Sequence, residues 1–444
     1  MNLHSPTATW HDLTLGQLDF WQEACAHPGQ PVSTVAHVTR LRGVIDRPAL
    51  ERAINQMSRE AQVLSLRFGH DCNGSPKQVI DPRLTPIVQY CDLRQKTDPQ
   101  AAATELMRAD TEAPIDLTRG PLAAQWLLQT DDQEWHWYFR GHHIFLDGYS
   151  MALIERRVAR LYDAYISAGD LGREFAHFDT FLAEEHSYRN GSRHVRDRQF
   201  WQDYLGDAND LKVLRKGDED YPQAPHEGHV DLQDLVPALR LCSERTGIGW
   251  PELLTLLSGI WLWSCPGEDN RLPRQPMTIW LPFMGRLGSV SATIPAMVVN
   301  ILPFQVRADA QIPLPDLMTT MARDLRKARR HGRYRIEQMT ADRGLDSGYR
   351  FFFSPLVNVL PFEPPRFKGC DTTREVLAAG PGDGFNLSFA ARNDANELSL
   401  LVEADPTLTS KKLFARHLHK FPRFLKLALN SDSASTIEDI CRTL

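Results

Sequence analysis

Two histidines, an aspartate and a glycine stand together in His142-His143-Ile144-Phe145-Leu146-Asp147-Gly148, a pattern of the form HHxxxDG. An imidazole can accept a proton from an attacking amine near neutral pH. A carboxylate can orient such a ring or hold a cation. A glycine lets a backbone N–H come close to a developing oxyanion. These groups together describe an acyl-transfer centre. Asp147 invites a triad of the Ser-His-Asp kind, yet no nucleophile stands beside it. No metal is expected either. The seven cysteines (Cys25, Cys72, Cys91, Cys242, Cys265, Cys370, Cys441) are scattered and form no CxxC pair.

The elements around the motif fix which histidine can act. Pro121 to Leu128 and Trp135 to Ile144 read as two strands joined by a turn at Gln129 to Asp132. By period 2, Trp135, Trp137, Phe139, Gly141 and His143 share one strand face, and His136, Tyr138, Arg140 and His142 share the other. The adjacent histidines therefore cannot do the same job: one faces a cavity while the other packs behind it. After Gly148, residues Met151, Ile154, Val158, Leu161, Tyr162 and Tyr165 recur at helical spacing, and Gly169 ends that helix.

Other segments follow the same logic. Thr14-Leu15-Gly16-Gln17 is a capping box opening a helix with Leu18, Phe20 and Trp21. Val35 to Ile45 reads as a strand, and Asp46 caps the next helix, with Pro48 in its first turn. Short strands are expected at Val63 to Phe68 and Gln78 to Ile80, and a helix at Pro99 to Ala109. Leu171 to Ala176 is the linker candidate. Beyond it, helices are expected at His177 to Arg189, His194 to Leu205, Leu235 to Thr246, Pro251 to Trp263, Pro315 to Arg330 and Lys411 to Leu429. A polar stretch runs from Lys216 to Gly228. Strands are expected at Met277 to Phe283, Val298 to Val306, Leu356 to Phe362, Phe385 to Ala391 and Leu398 to Glu403. Asn300-Ile301-Leu302-Pro303-Phe304 and Asn358-Val359-Leu360-Pro361-Phe362 repeat one pattern, each placing an asparagine inside an apolar strand. Such an amide must bond either backbone or substrate.

Composition narrows the class. The chain has 444 residues, 42% of them hydrophobic and 24% charged, which suits a globular protein with a large core. A net charge of −6 disfavours nucleic acid. No signal peptide or membrane-spanning run is visible, so a cytoplasmic protein without a membrane partner is expected.

The motif and its strand-then-helix setting resemble the condensation domains of nonribosomal peptide synthetases. Thr14 to Trp21, Val63 to Phe68, His142 to Ser150, Phe178 to Phe181, Gly285-Arg286 with Met297 to Asn300, and His331 to Glu337 match that family's successive motifs. The histidine the family carries before the second motif is missing. Trp280 to Arg286, His331 to Gln338 and Ser354 to Phe362 are similar to free-standing amide synthases of the vibriobactin type. The resemblance implies an α/β (α+β) fold like that of chloramphenicol acetyltransferase. Two similar halves, residues 1–172 and 173–444, would form a V-shaped pseudo-dimer around a substrate tunnel.

The resemblance also assigns roles. His143 is the cavity-facing base or positioner, with Gly148 and Asn358 in the catalytic set. His142 is structural, and Asp147 pairs with Arg286 across the halves. Trp280, Asn300 and Tyr149 line the tunnel. The basic run Arg323, Arg326, Lys327, Arg329, Arg330, Arg333 and Arg335 is either a solvated helix face or a docking patch for an acidic carrier, with Arg326 and Arg330 at its centre. The implied reaction joins an aryl group, 2,3-dihydroxybenzoyl, from a carrier-protein thioester to a small amine or polyamine in siderophore assembly. No cofactor is bound, the carrier's phosphopantetheine arm enters the tunnel, and the enzyme is a monomer. No carrier-type Gly-Gly-x-Ser site or adenylation segment is seen, which fits a free-standing enzyme. The alternatives are a CoA-dependent acyltransferase of the same fold and a silent docking module. An epimerase would carry Ser-Trp after the glycine, where this chain has Ser150-Met151.

Overall fold

The computed structural model describes residues 9–206, 214–215, 225–264, 277–344, 351–380 and 384–444. It contains two large mixed sheets, each backed by helices on both faces.

The first sheet has five strands in the spatial order Cys370–Ala379, Thr34–Gly43, Glu134–His142, Ala124–Asp131, Gln89–Asp92. Only its last pair is parallel. One face carries Trp135, Trp137 and Phe139 into a core shared with the helices Arg47–Glu60 and Gly148–Ser167. The other face sets Tyr138 and Leu128 against Ala103 and Met107 of the helix Pro99–Thr111. The caps are local. Thr14 accepts from Gln17 N–H while the Gln17 side chain accepts from Thr14 N–H, and Asp46 accepts from Ala49 N–H.

The second sheet has six strands in the order Asn300–Val306, Met277–Phe283, Leu356–Pro361, Phe385–Ala391, Ser399–Ala404, His226–Asp231. Its central three run parallel. The helices Val236–Thr246, Trp250–Ser264, Leu314–Arg330 and Lys411–Leu429 cover one face in the larger core. Ser192–Leu205 and Ile336–Ala341 cover part of the other.

The two halves exchange segments. Strand Cys370–Ala379 follows a strand of the second sheet in sequence, yet it lies antiparallel to Thr34–Gly43 at the edge of the first. The chain then returns to the second sheet at Phe385. Helix Phe178–Arg189 also packs Phe178 and Phe181 into the first core, together with Ile294, Ala296 and Met297. The two cores therefore do not divide the chain at residue 172.

Several sequence readings are corrected. Val63 and Leu64 lie in a 3-10 turn, and the strand starts at Leu66. Strand Ala124–Asp131 runs through the expected turn, which sits instead between Asp131 and Glu134. Val298 and Val299 precede their strand, because their N–H groups bond Asp147 and not a neighbouring strand. The expected polar stretch from Lys216 lies largely outside the described residues.

Candidate active site

The motif strand ends at His142, one residue short of the reactive candidate. His143 has left the ladder but keeps its place through its N–H, which donates to the Ser33 carbonyl at 2.8 Å. Ile144, Phe145 and Leu146 then turn back under the sheet and are fully buried. Gly141 permits this fold-back. A Cβ there would meet Leu146 Cδ1 at 3.0 Å and Phe145 Cζ at 3.2 Å.

The two histidines have separate environments. His142 is buried, and its Nδ1 accepts from Ile144 N–H at 3.0 Å, so its neutral Nε2–H tautomer is selected. Burial, reinforced by the neighbouring His143 and Arg140 against a bond to the Val32 backbone, pushes its pKa down to about 3. The ring therefore stays neutral near neutral pH. His143 is half-buried and stacks on Phe20, with ring centroids 4.8 Å apart and planes 8° from parallel. Its Nδ1 is buried.

Asp147 caps the helix Gly148–Ser167 and anchors a brace between the halves. Its Oδ1 accepts from Ser150 N–H at 2.8 Å and from Arg286 Nη2 at 2.8 Å. Its Oδ2 accepts from Arg286 Nη2 at 2.8 Å, Val298 N–H at 3.0 Å and Val299 N–H at 3.1 Å. Arg286 also donates to the carbonyls of Ser291, Ile294 and Ala296. Ser150 Oγ lies 2.7 Å from the Ala296 carbonyl and accepts from Ala296 N–H. Burial raises the Asp147 carboxyl, but the Arg286 guanidinium and the donors from Ser150 and Val298 outweigh it, leaving the group below its ordinary range. A carboxylate so saturated is a structural anion and makes a poor base. Nothing in the sequence position of Ser150 marks it as part of this brace.

Gly148 opens the motif helix at an exposed position, with its N–H at the positive end of the helix dipole. Phe362 approaches it: Phe362 Cε2 would lie 3.7 Å from a Cβ at 148. Tyr149 meets the edge of Phe362 at 6.1 Å, and Arg286 lies over its ring at 4.8 Å. The strand from Leu356 thus ends at the start of the motif helix. Asn358 is half-buried on that strand, paired in register with Ser388, and faces away from the main core that holds Val357. It lies four residues before Phe362, about 13 Å along an extended strand.

Of two expected tunnel residues, one packs in a core and the other borders a cleft without a free amide. Trp280 is 2% exposed and packs with Trp201, Leu302 and Tyr334 under the helix Ser192–Leu205, so it is a core residue. Asn300 borders a cleft with Thr14, Glu185 and Arg333, but its amide is spent on backbone. Its Nδ2 donates to the carbonyls of Gly332 at 2.8 Å and Tyr334 at 3.0 Å. Its Oδ1 accepts from Ile301 N–H at 2.9 Å and Ile336 N–H at 3.1 Å. All four bonding positions of this amide are filled, leaving none for substrate.

The basic run is partly neutralised. Arg326 and Arg329 share Glu252, Arg333 contacts Glu184 and Glu185, and Arg335 pairs with Glu337. Arg323, Arg326, Lys327 and Arg330 are exposed. No described helix is long and apolar enough to cross a membrane.

A mixed two-sheet architecture with this motif at a strand end defines an acyltransferase of the chloramphenicol-acetyltransferase-like fold. The chain belongs to the condensation-domain family, whose model matches residues 11–438, and it is an amide-forming acyltransferase. It is similar to the solved NRPS condensation enzyme VibH, with 33% identity and a TM-score of 0.84, covering 94% of this chain and 96% of VibH. It is also similar to the starter condensation domain of rhizomide synthetase RzmA, with 28% identity, a TM-score of 0.82 and coverage of 97% and 96%. Among curated relatives, a dimodular nonribosomal peptide synthase of Bacillus subtilis (strain 168) is 29% identical over 94% of this chain. Enterobactin synthase component F of Escherichia coli (strain K12) is 33% identical over 80%. The chain spans only 17% and 28% of the lengths of those two synthases.

Proposed function

We propose that this enzyme transfers an aryl group, 2,3-dihydroxybenzoyl or a close analogue, from a carrier-protein thioester to a small soluble amine in siderophore assembly. The observation that carries this reading is the match to VibH across nearly the whole of both chains, together with the similarity to the vibriobactin type at the segments of Arg286, Gln338 and Phe362. The enterobactin synthase and vanchrobactin synthetase relatives agree with a siderophore setting.

The chemistry follows from the site. An alkylammonium with a pKa near 10.4 costs roughly 4–5 kcal/mol to deprotonate at pH 7. With Nδ1 of His143 buried, Nε2 is the nitrogen that takes the proton as the amine attacks the thioester carbonyl. The carbonyl oxygen gains negative charge, which the Gly148 N–H at the helix start stabilises. The intermediate collapses with loss of the phosphopantetheine thiolate, which leaves with its carrier. Asn358, on the strand that ends at Gly148, orients the acceptor amine. Asp147 and Arg286 hold the two halves in register. The exposed Arg326 and Arg330 meet the acidic carrier, so neutralising both lowers apparent affinity for the loaded carrier at low salt. Unchanged affinity would remove the patch.

A second reading has its own support: a starter domain of similar structure was solved with C8-CoA. The test is a donor comparison on the purified enzyme. Aryl-carrier thioester, aryl-CoA and octanoyl-CoA are each offered with a panel of diamines and triamines, and amide is measured by mass spectrometry. Aryl amide from the carrier at a kcat/KM well above that from either CoA thioester supports the proposal. Preference for a CoA thioester overturns it.

A further inference from the structure

The motif explains what His143 is, but the residues that hold its ring come from elsewhere in the chain. Phe20, on the helix Leu15–Ala26, lies almost parallel to the imidazole at 4.8 Å. From another side comes Gly380, which ends the strand that crosses from the second half into the first sheet. Ala379 is in register with Val35, and Thr34, the next residue, is in register with His142 on the far side. Gly380 N–H donates to the Thr34 carbonyl at 3.0 Å. That bond sets Gly380 beside the histidine. A Cβ at Gly380 would lie 3.3 Å from His143 Cδ2, closer than an ordinary van der Waals contact. Gly380 has φ +86, a conformation that side chains disfavour. Cδ2 is bonded to Nε2, so anything that presses on it displaces the nitrogen that must meet the amine.

We propose that Phe20 and Gly380 are positioning residues for His143: the aromatic ring sets the imidazole plane, and the bare backbone of the crossing strand leaves the clearance the ring needs. This rests on the reading of His143 as the group that takes the proton. A reacting group misplaced by about 1 Å can lose some 10²-fold in rate. The crossing strand thereby makes the alignment of His143 depend on both halves of the molecule.

Steady-state kinetics on the full chain test this, with His143 ring resonances followed by NMR as a readout independent of turnover. Gly380→Ala and Phe20→Leu each lower kcat about tenfold, leave KM for carrier and amine within about twofold, and move the His143 Cδ2–H resonance. Phe20→Tyr retains the ring and keeps kcat within about twofold. Gly369→Ala supplies the control for backbone strain. Gly369 has φ +78 just before the same strand, but a Cβ there would touch nothing within 4 Å. It leaves kcat unchanged. Equal losses from Gly369→Ala and Gly380→Ala, a rise in KM at constant kcat, or wild-type kcat in both Gly380→Ala and Phe20→Leu would each overturn the proposal. If Phe20→Leu does not fold, Gly380→Ala and its control decide alone. Full turnover in His143→Ala would instead remove the reading beneath it.

Discussion

Within the HHxxxDG motif, His143 and Asp147 lie four residues apart and are held on opposite plans. At the Asp147 end both carboxylate oxygens are taken, by one guanidinium, one hydroxyl and three backbone N–H groups, and the side chain is buried. At the His143 end the ring is held by an aromatic stack and a glycine backbone, and it remains partly open. Saturated polar contacts fix a group and quench its reactivity, whereas an aromatic stack and a close glycine backbone fix the plane of a ring. The pattern thus contains a brace at Asp147 and, on the proposed reading, the reactive group at His143.

The same contrast recurs in the repeated segments. Asn300 spends its whole amide on backbone, while Asn358 sits half-buried on a strand that ends at the motif helix. One pentapeptide pattern serves structure at the first site and faces away from the main core at the second.

The largest expected effect lies at the brace. Asp147→Ala leaves the Arg286 charge buried and uncompensated, at a cost of roughly 3–5 kcal/mol in unfolding free energy. Urea denaturation measures it. A loss under about 1 kcal/mol would break the contrast between the two ends.

His142 comes next, through pH. Its folded value is about 3, against an ordinary 6.5. Between those values the unfolded chain binds a proton that the folded chain does not, so stability falls as pH drops from 6.5 toward 3. The limit is roughly 5 kcal/mol. His142→Asn should flatten that part of the stability profile, and an unchanged slope would contradict the assignment. Asp147 acts over a lower window. Its depressed carboxyl contributes stability that is present above its ordinary value of 3.8 and is lost as pH falls below it.

The asparagines give the smallest stability effects and the finest test. Asn300→Ala strands backbone groups and costs roughly 1–3 kcal/mol. Asn358→Ala keeps the stability but lowers turnover and raises KM for the amine. Equal behaviour of the two variants would remove the distinction.

Much of this was legible in the sequence, and the exceptions have physical reasons. Capping at Thr14 and Asp46 depends on neighbours three residues away, so a local pattern suffices. Assigning separate jobs to His142 and His143 needed only strand alternation, although the ladder stops two residues earlier than expected. The partnership of Asp147 with Arg286 spans 139 residues and came from the family resemblance, not from spacing. The crossing strand Cys370–Ala379 carries no readable signal, because Asp371 to Glu375 are all polar, the apolar residues after them do not alternate, and none of its residues is fully buried. Gly380 and Phe20 were invisible as partners of His143 for the same reason: only the fold brings residues 20, 143 and 380 together. Trp280 was placed on the tunnel by its motif, but the strand turns it under a helix that the motif does not include.

The central claim is that chemistry sits at His143 while Asp147 only holds the site. Single-turnover transfer from a loaded carrier to saturating amine, compared between His143→Ala and Asp147→Asn in samples confirmed folded by circular dichroism, tests it directly. His143→Ala should lower the rate by roughly 10²–10⁴-fold without loss of fold, while Asp147→Asn that remains folded should retain most of the rate. Wild-type transfer by folded His143→Ala, or equal losses in the two folded variants, would contradict it.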